Sequence, residues 1–234
     1  MITDRLFELQ DTGYRDFQSR LMPDVPKEKV IGVRTPALRK LAKELAGTEE
    51  AAAFILQLPH KYYEEDNLHT FLICEMKDYD DCMAEVERFL PYIDNWATCD
   101  CFTPKVFKKH RAEVYEKIKQ WLGSAETYTV RFGIVTLMDY LKTDFEKQML
   151  SLVADIRSEE YYINMATAWY FSMALVWQYN AALPYLTEES LDKWTHNKSI
   201  QKATESRQRP ILLSKNMRSR CFRESRGSNQ RSRR

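Results

Sequence analysis

A tryptophan and an aspartate stand four residues apart in the segment DNWATCD, as Trp96 and Asp100. If this segment is helical, positions i and i+4 lie on one face, so an aromatic ring and a carboxylate point the same way. The combination is unusual for a core, because a buried carboxylate requires a partner. The carboxylate could therefore meet a cation, supplied either by this chain or by a ligand.

The residues that follow Asp100 strengthen this interpretation. Thr103 and Pro104 follow three and four residues later, and a proline cannot donate a hydrogen bond back to the carbonyl of residue 100. We expect the helix to kink or end near Asp100 and to restart with Thr103 as its cap. A carboxylate near a helix C-terminus is disfavoured by about 0.3–1 kcal/mol, so a positive group should offset it. Arg131 and a cationic ligand are the two candidates.

Arg131 has no acidic residue three or four positions away in its own segment, TYTVRFGIVTLMDYL. Burying an unpaired guanidinium would be costly. We expect its partner to be a carboxylate on another helix, a phosphate or water, unless the side chain extends to the rim of the helix.

Trp169 lies in the middle of another apolar segment, NMATAWYFSMAL. Its neighbours three and four positions away are small or soft residues, which leave room for a large ring. By spacing alone such an aromatic residue is typical of a core.

The elements that must position these residues are all predicted to be helices, because no segment shows sustained alternation of apolar and polar residues. The segment 34–47 has Thr35 as its expected cap, Pro36 at its first helical position and Gly47 as its stop. Further helices are expected near the following residues: 49–57, 62–77, 80–92, 94–110, 112–122, 126–142, 145–157, 160–178, 187–194 and 196–206.

Apolar segments begin some 28 to 35 residues apart and alternate with amphipathic ones. A buried helix alternating with a solvated one is the pattern of an α-solenoid built from helix pairs. The sequence therefore predicts an all-α fold with a single helical-repeat domain over residues 1–206.

The net charge of +1 conceals an asymmetry, because residues 207–234 hold ten of the 35 basic side chains and one of the 34 acidic ones. The remaining 25 basic and 33 acidic side chains give residues 1–206 a net charge of −8. The Arg/Ser-rich tail over 207–234 is expected to be disordered and to have nucleic-acid affinity, or to be a solvated terminus. The acidic body argues against a broad DNA-binding surface but leaves room for a local basic cleft.

The composition also indicates where the protein works in the cell and whether it holds disulfides or a metal. The first ten residues do not form an apolar, cleavable leader, and the longest apolar stretch is too short to span a membrane. A cytoplasmic protein is expected, without disulfides, since the five cysteines lack paired spacing. Cys99, Cys101 and His110 lack the second pair of ligands that a metal site needs, so no metal or cofactor is expected.

The order of these residues resembles the AlkD-like DNA alkylation repair family: a Trp-x-x-x-Asp helix, an arginine in the next inner helix, and a tryptophan in the one after. The segments IGVRTPALRKLAK and NKSIQKATES are also similar to this family, and the resemblance covers roughly residues 1–206. It implies an α-solenoid of HEAT-like antiparallel helix pairs whose concave face grips duplex DNA.

The resemblance further implies a glycosylase that releases N3- and N7-alkylated purines. By position, Trp96, Asp100 and Trp169 would form the catalytic cleft, with Arg131 beside them. Asp100 would stabilise an oxocarbenium-like sugar and orient the attacking water, while the two rings hold the cationic nucleotide. Arg131 would bond the DNA backbone or fix Asp100. The basic side chains that could line a DNA-binding face are Arg34, Arg39, Lys105, Lys108 and Lys109, in addition to Arg131.

Two alternatives remain open from the sequence. One is a catalytically silent DNA-binding protein of the same fold, and the other is a helical-repeat scaffold for protein interactions, which the acidic body favours. If the protein is instead the glycosylase, its partner is duplex DNA containing alkylated purines. The protein is then expected to be a monomer with no membrane association and no obligate protein partner.

Overall fold

The computed structural model describes residues 1–188 and 190–205, and the predicted tail over 207–234 lies outside the described residues. All regular elements in the described part are helices, so the all-α prediction is confirmed. The chain forms two compact units, with the boundary between Thr136 and Leu137. That residues 1–206 form a single repeat domain stays a prediction.

The helices of the first unit are short and joined by turns or by 3-10 helices at Lys27–Lys29, Leu90–Tyr92 and Lys105–Lys109. They are α1 (Ile2–Glu8), α2 (Thr12–Leu21), α3 (Thr35–Leu45), α4 (Glu49–Ile55), α5 (Tyr63–Glu75), α6 (Tyr79–Phe89), α7 (Trp96–Cys101) and α8 (Arg111–Leu122).

The unit boundary falls inside the next helix, α9 (Thr127–Met138). The second unit is organised around one long helix that packs against its successors. Its helices are α10 (Tyr140–Thr143), α11 (Gln148–Ala154), α12 (Tyr161–Trp177), α13 (Tyr179–Thr187) and α14 (Lys193–Glu205).

Helices predicted to be inner are buried over most of their length, whereas the helices that follow bury one face. In α5 nearly every residue from Tyr63 to Cys74 is buried. The helix α8, by contrast, buries only Val114, Ile118 and Trp121. This alternation is that of an α-solenoid of helix pairs, as the sequence predicts.

Two local predictions about helix ends were wrong. Arg34, not Thr35, is the N-cap of α3, so Pro36 stands at the second helical position, where its missing N–H removes no intrahelical bond. Residues 187–194 are not one helix, because the Asp192 carboxylate accepts the backbone N–H groups of Trp194 and Thr195 at 3.0 Å and so starts α14 after itself.

No helix within 1–188 or 190–205 is both long and apolar enough to cross a membrane.

Candidate functional site

The helix that carries Trp96 and Asp100 begins at a side-chain cap. The side-chain oxygen of Asn95 accepts a hydrogen bond from the backbone N–H of Thr98 at 2.9 Å. The Asn95 amide in turn donates to Thr98 Oγ1 at 3.0 Å and to Asp94 at 2.9 Å. This cap fixes the first turn of α7 and therefore the direction in which Trp96 leaves the helix.

The end of α7 lies just after Asp100, which confirms the predicted break. The backbone N–H of Phe102 bonds to the carbonyl of Cys99 at 3.2 Å, a tightening typical of a helix end. Thr103 does not cap the next element, contrary to the prediction. Pro104 stands at the cap position of the 3-10 helix, because its fixed φ of −59° leads the chain into that turn.

The carboxylate of Asp100 is held by the guanidinium of Arg131. Arg131 Nε donates to Asp100 Oδ1 at 2.8 Å, and Arg131 Nη2 donates to Asp100 Oδ2 at 2.7 Å. The side chains are 5% exposed for Arg131 and 17% exposed for Asp100, so the arginine is inside and the carboxylate reaches solvent. The pairing expected from the unmatched charges on α7 and α9 is confirmed. Arg131 does not extend to a helix rim.

Two further contacts fix α7 against α9. The thiol of Cys99 donates to the carbonyl of Tyr128 with sulfur and oxygen 3.5 Å apart. The rings of Phe102 and Phe132 lie with centroids 5.0 Å apart. Phe132 directly follows Arg131 in the chain, so this packing sets where the guanidinium meets Asp100.

The charge state of Arg131 follows from the balance of two effects. Burial lowers the pKa of the guanidinium, but hydrogen bonding to Asp100 and the charge of that carboxylate raise it more, so the pKa lies above its ordinary value. Arg131 is thus a permanent cation. The site therefore contains a preorganised pair in which the guanidinium of Arg131 holds both oxygens of Asp100.

Trp96 is half-buried and lies where α7 meets the end of α2. One side of its ring packs against a cluster of buried side chains. Its indole N–H donates to the carbonyl of Leu21 at 3.3 Å. The cluster consists of Met22, Val25, Val30, Tyr63 and Ala97.

Trp169 belongs to the second unit, in the middle of α12, and is half-buried. Its backbone carbonyl accepts a hydrogen bond from Ser172 Oγ at 2.7 Å. The ring is therefore not a fully enclosed core residue, and its membership of the catalytic site stays a prediction.

Two of the predicted DNA contacts already have carboxylate partners. Arg34 donates to the carboxylate of Asp11 from Nε at 3.0 Å and from Nη2 at 2.8 Å. Lys105 Nζ lies 2.5 and 2.6 Å from the two carboxylate oxygens of Glu75. Both cations are exposed, so each pair contributes little to stability and could be exchanged for phosphate contacts.

The other predicted contacts carry exposed side chains. The guanidinium of Arg39 lies 4.1 Å from the centroid of the Phe71 ring. Lys108 and Lys109 are exposed and form no ion pair within the described part of the chain. Whether any of these residues binds DNA stays a prediction.

A buried acid that the sequence analysis did not single out organises the start of the chain. The carboxylate of Glu64 is fully buried and accepts the backbone N–H groups of Ile31, Gly32 and Val33, at 2.8, 2.7 and 3.2 Å. The Gly32 carbonyl accepts the N–H of Asp11 at 2.9 Å. Glu64 thereby fixes the loop that supports α2, and no sequence signal set it apart from its neighbours Glu65 and Asp66.

The cysteines near the site are not arranged as metal ligands. Cys99 is completely buried, and burial raises the pKa of its thiol well above the ordinary value. The ring of His110 instead stacks on Tyr79 at 4.3 Å between centroids. Within residues 1–188 and 190–205 there is no cluster of three or more His, Cys, Asp or Glu side chains that could hold a metal ion.

Fold and site together define an all-helical repeat protein with a preorganised aspartate–arginine pair beside a half-buried tryptophan. The family described as DNA alkylation repair enzyme matches residues 2–199, so the chain belongs to this family and the predicted resemblance is confirmed. No curated protein matches the chain. Family membership assigns the protein to DNA repair, with DNA as its partner.

Proposed function

We propose that the protein is a DNA glycosylase that releases positively charged N3- and N7-alkylated purines from duplex DNA. The observation that carries the proposal is the Asp100 carboxylate, held at both oxygens by buried Arg131, partly open to solvent and one helical turn after Trp96. In this proposal the protein acts as a cytoplasmic monomer without a metal or cofactor.

The main requirement of this reaction is to stabilise the positive charge that develops on the sugar. An alkylated purine is already cationic, so it leaves without a general acid when the N-glycosidic bond breaks and the bonding electron pair goes to the purine nitrogen. Positive charge then develops on the sugar, as in glycoside hydrolysis. A fixed carboxylate such as Asp100 stabilises that charge and orients the water that attacks the anomeric carbon.

The remaining predicted residues have supporting roles. The partly exposed ring of Trp96 would hold the cationic nucleotide. Arg131 was expected either to bond a phosphate or to fix Asp100, and the bidentate pair supports the second role. Exposed cations such as Arg34 and Lys108 would contact the DNA backbone.

The test is release of the base from a duplex containing N7-methylguanine. The wild-type protein should release it, and Asp100→Asn should lower the single-turnover rate by about 100-fold or more, because a preorganised electrostatic contact is removed. Glu116→Gln is the matched control, since it breaks an exposed ion pair with Lys119 in the same unit and should keep full activity. DNA binding without base release by the wild type would remove the enzyme claim.

A catalytically silent DNA-binding protein is the second candidate. It is favoured by the fact that Arg131 donates to both Asp100 oxygens, as in a structural ion pair. This alternative predicts salt-dependent DNA binding that Asp100→Asn does not weaken.

A protein-interaction scaffold is the third candidate function. It is favoured by the net charge of −8 over residues 1–206 and by the pairing of Arg34 and Lys105 with acids. It predicts no DNA binding at low salt once the ten basic tail residues are changed to glutamine.

A further inference from the structure

The second unit contains a surface cleft of about 400 Å³ that none of the roles proposed above uses. It lies between the loop that leads from α11 into α12 and the start of α14. Its volume falls within the range of pockets that hold small organic molecules, about 300–1,000 Å³. The rings of Tyr161 and Trp194, here called the aromatic wall, line the cleft together with the carboxylates of Glu159 and Asp192.

The aromatic wall is open to solvent. Tyr161 is 55% exposed and Trp194 is 42% exposed. Their centroids lie 5.7 Å apart with the ring planes inclined by 65°, so the edge of one ring meets the face of the other and the outer surfaces stay accessible. An exposed ring face attracts a cation placed within about 6 Å of its centre. The wall therefore offers both apolar contact and a preference for positive charge.

The polar groups that the cleft offers to a ligand are hydrogen-bond acceptors. Glu159 is exposed and forms no ion pair within residues 1–188 and 190–205. Asp192 caps α14, but both of its bonds to backbone N–H groups end on Oδ1, so the second oxygen of this exposed side chain can meet a ligand. Asn164 donates through Nδ2 to the carbonyl of Ser158 at 2.8 Å, and its side chain keeps the amide oxygen as an acceptor. A matching ligand must bring donors.

Arg157 also lines the cleft, but its donors are directed to the backbone. Nη1 donates to the carbonyls of Ala154 and Ile156, and Nη2 donates to that of Ser190 at 3.5 Å. No ion pair joins this guanidinium to a carboxylate of the cleft among the described residues. Two carboxylates against one guanidinium give the lining a net negative charge, which disfavours an anion such as phosphate.

We propose that this cleft binds a linear polyamine such as spermidine. Its ammonium groups would pair with Glu159 and Asp192, and its alkyl chain would lie along the aromatic wall. A bare metal cation would make no use of the apolar surface, and a neutral aromatic molecule would leave the carboxylates without a partner. Because none of these residues is assigned to base release, the site does not depend on the proposed function.

The experiment is isothermal titration calorimetry of the full chain with spermidine. A background of about 0.15 M salt screens the general attraction of a polycation to an acidic protein. Saturable binding to one site is expected. Magnesium chloride, a divalent cation without an alkyl chain, is titrated under the same conditions and should give no comparable binding.

Four variants locate the binding. Trp194→Ser should weaken it by about 10-fold, because a cation–π contact and its apolar surface are lost. Glu159→Gln removes a charge at nearly unchanged shape and should weaken it by about 5-fold. Asp192→Asn should have a similar effect and keep the helix, since asparagine is an equally good N-cap. Glu146→Gln, at an exposed acid of the same unit outside the cleft, should bind as the wild type does.

Three results would overturn the site: no saturable binding of spermidine, unchanged affinity in Trp194→Ser, or equal losses in Glu146→Gln and Glu159→Gln, which would mean that only net charge matters. A tetralysine peptide is titrated in parallel. If it binds at least about 10-fold more tightly than spermidine and the cleft variants lose that binding, the cleft belongs to a protein partner and the assignment to a polyamine is wrong.

Discussion

Asp100 and Arg131 are 31 residues apart in the chain and are joined by two hydrogen bonds of 2.8 and 2.7 Å. The pair links the end of α7 to the middle of α9, and it resolves the unfavourable position of a carboxylate at a helix C-terminus. Because the arginine is 5% exposed and the aspartate 17% exposed, the charge that remains accessible to a ligand is the negative one.

Replacing Arg131 by methionine should destabilise the protein. The change leaves the Asp100 carboxylate without its cation, and breaking a buried pair from one side typically costs about 3 kcal/mol. Urea denaturation of Arg131→Met and of the wild type measures the difference. In a double-mutant cycle with Asp100→Asn, the double variant should lose less than the sum of the single losses. Additive losses would show that the two side chains are not coupled.

Two glycines with positive φ should differ in their tolerance of alanine. At Gly32, with φ +97°, an added Cβ would lie 2.5 Å from the Asp11 carbonyl oxygen and 2.6 Å from Arg15 Cβ. At Gly47, with φ +81°, it would meet nothing within 4 Å. Gly47→Ala should therefore lower the free energy of unfolding by about 1–2 kcal/mol, the cost of the left-handed backbone alone. Gly32→Ala should cost at least about twice as much, because the clash adds to that strain. Equal losses in thermal denaturation would contradict the close approach of α2 to this loop.

Asp66 should make the protein less stable as the pH rises. Burial, with the charges of Asp94 and Glu65 and a smaller opposing effect of Lys29, raises the pKa of Asp66 from 3.8 to about 8. The folded state therefore holds this proton more tightly than the unfolded chain does, and stability is lost between pH 4 and pH 8. Asp66→Asn should raise the free energy of unfolding at pH 8 by about 2 kcal/mol, a value reduced for the carboxylate's partial exposure.

The gain in Asp66→Asn should be small at pH 4, where the wild-type carboxyl is protonated in the folded state and about half protonated in the unfolded chain, and it should vanish below the ordinary pKa of 3.8. Asp80→Asn, at an exposed position on α6, serves as the control and should show no such pH-dependent gain. A gain of the same size at pH 4 and pH 8 would contradict the titration of Asp66.

A pair of buried histidines should make the protein less stable as the pH falls, whereas Asp66 makes it less stable as the pH rises. His60 Nε2 and His69 Nδ1 lie 2.8 Å apart, and the His69 ring stacks on Phe89 at 4.1 Å between centroids. Burial, with a smaller effect of Arg88 and a partial offset from Glu65, lowers the pKa of His60 to about 4. Burial, with smaller effects of His60 and Arg88, lowers the pKa of His69 to about 2. The neutral pair is favoured by folding, so its contribution is present above pH 6.5 and is lost as the pH falls toward 4.

The variant His69→Leu tests this dependence. Its stability relative to the wild type should rise as the pH falls from 6.5 to 4, because the variant no longer has to keep a buried imidazole neutral. Chemical denaturation at each pH, with the difference between the two proteins plotted, measures the effect. A difference that is constant over this range would contradict the prediction.

Several features of the fold and site could be predicted because their signals act within one helical turn. Pro104 predicts the end of the helix at Asp100, and the lack of an acid near Arg131 predicts a partner elsewhere. Gly47 predicts the end of α3, where its φ is +81°. The alternation of apolar and amphipathic segments predicts paired helices, as α5 and α8 show.

Other features could not be predicted, because they join positions that are distant in the chain. The fully buried Glu64 reads from the sequence as an ordinary surface acid in the run of Glu64, Glu65 and Asp66. Its role appears only when a loop more than thirty residues earlier presents three N–H groups to it. The contact of Trp96 with the Leu21 carbonyl spans 75 residues and involves a backbone atom that no residue type encodes.

By itself the sequence determined that this protein is all-helical, that Trp96 and Asp100 share a helix face, and that Asp100 needs a positive partner. These follow from helical periodicity, proline geometry and the cost of an uncompensated charge. The tertiary structure decided that Arg131 is the cation paired with Asp100, that Trp96 stays partly exposed, and that Arg34 and Lys105 pair with acids. Such choices depend on how α2, α7 and α9 pack, and packing selects among partners that are equally suitable by charge alone.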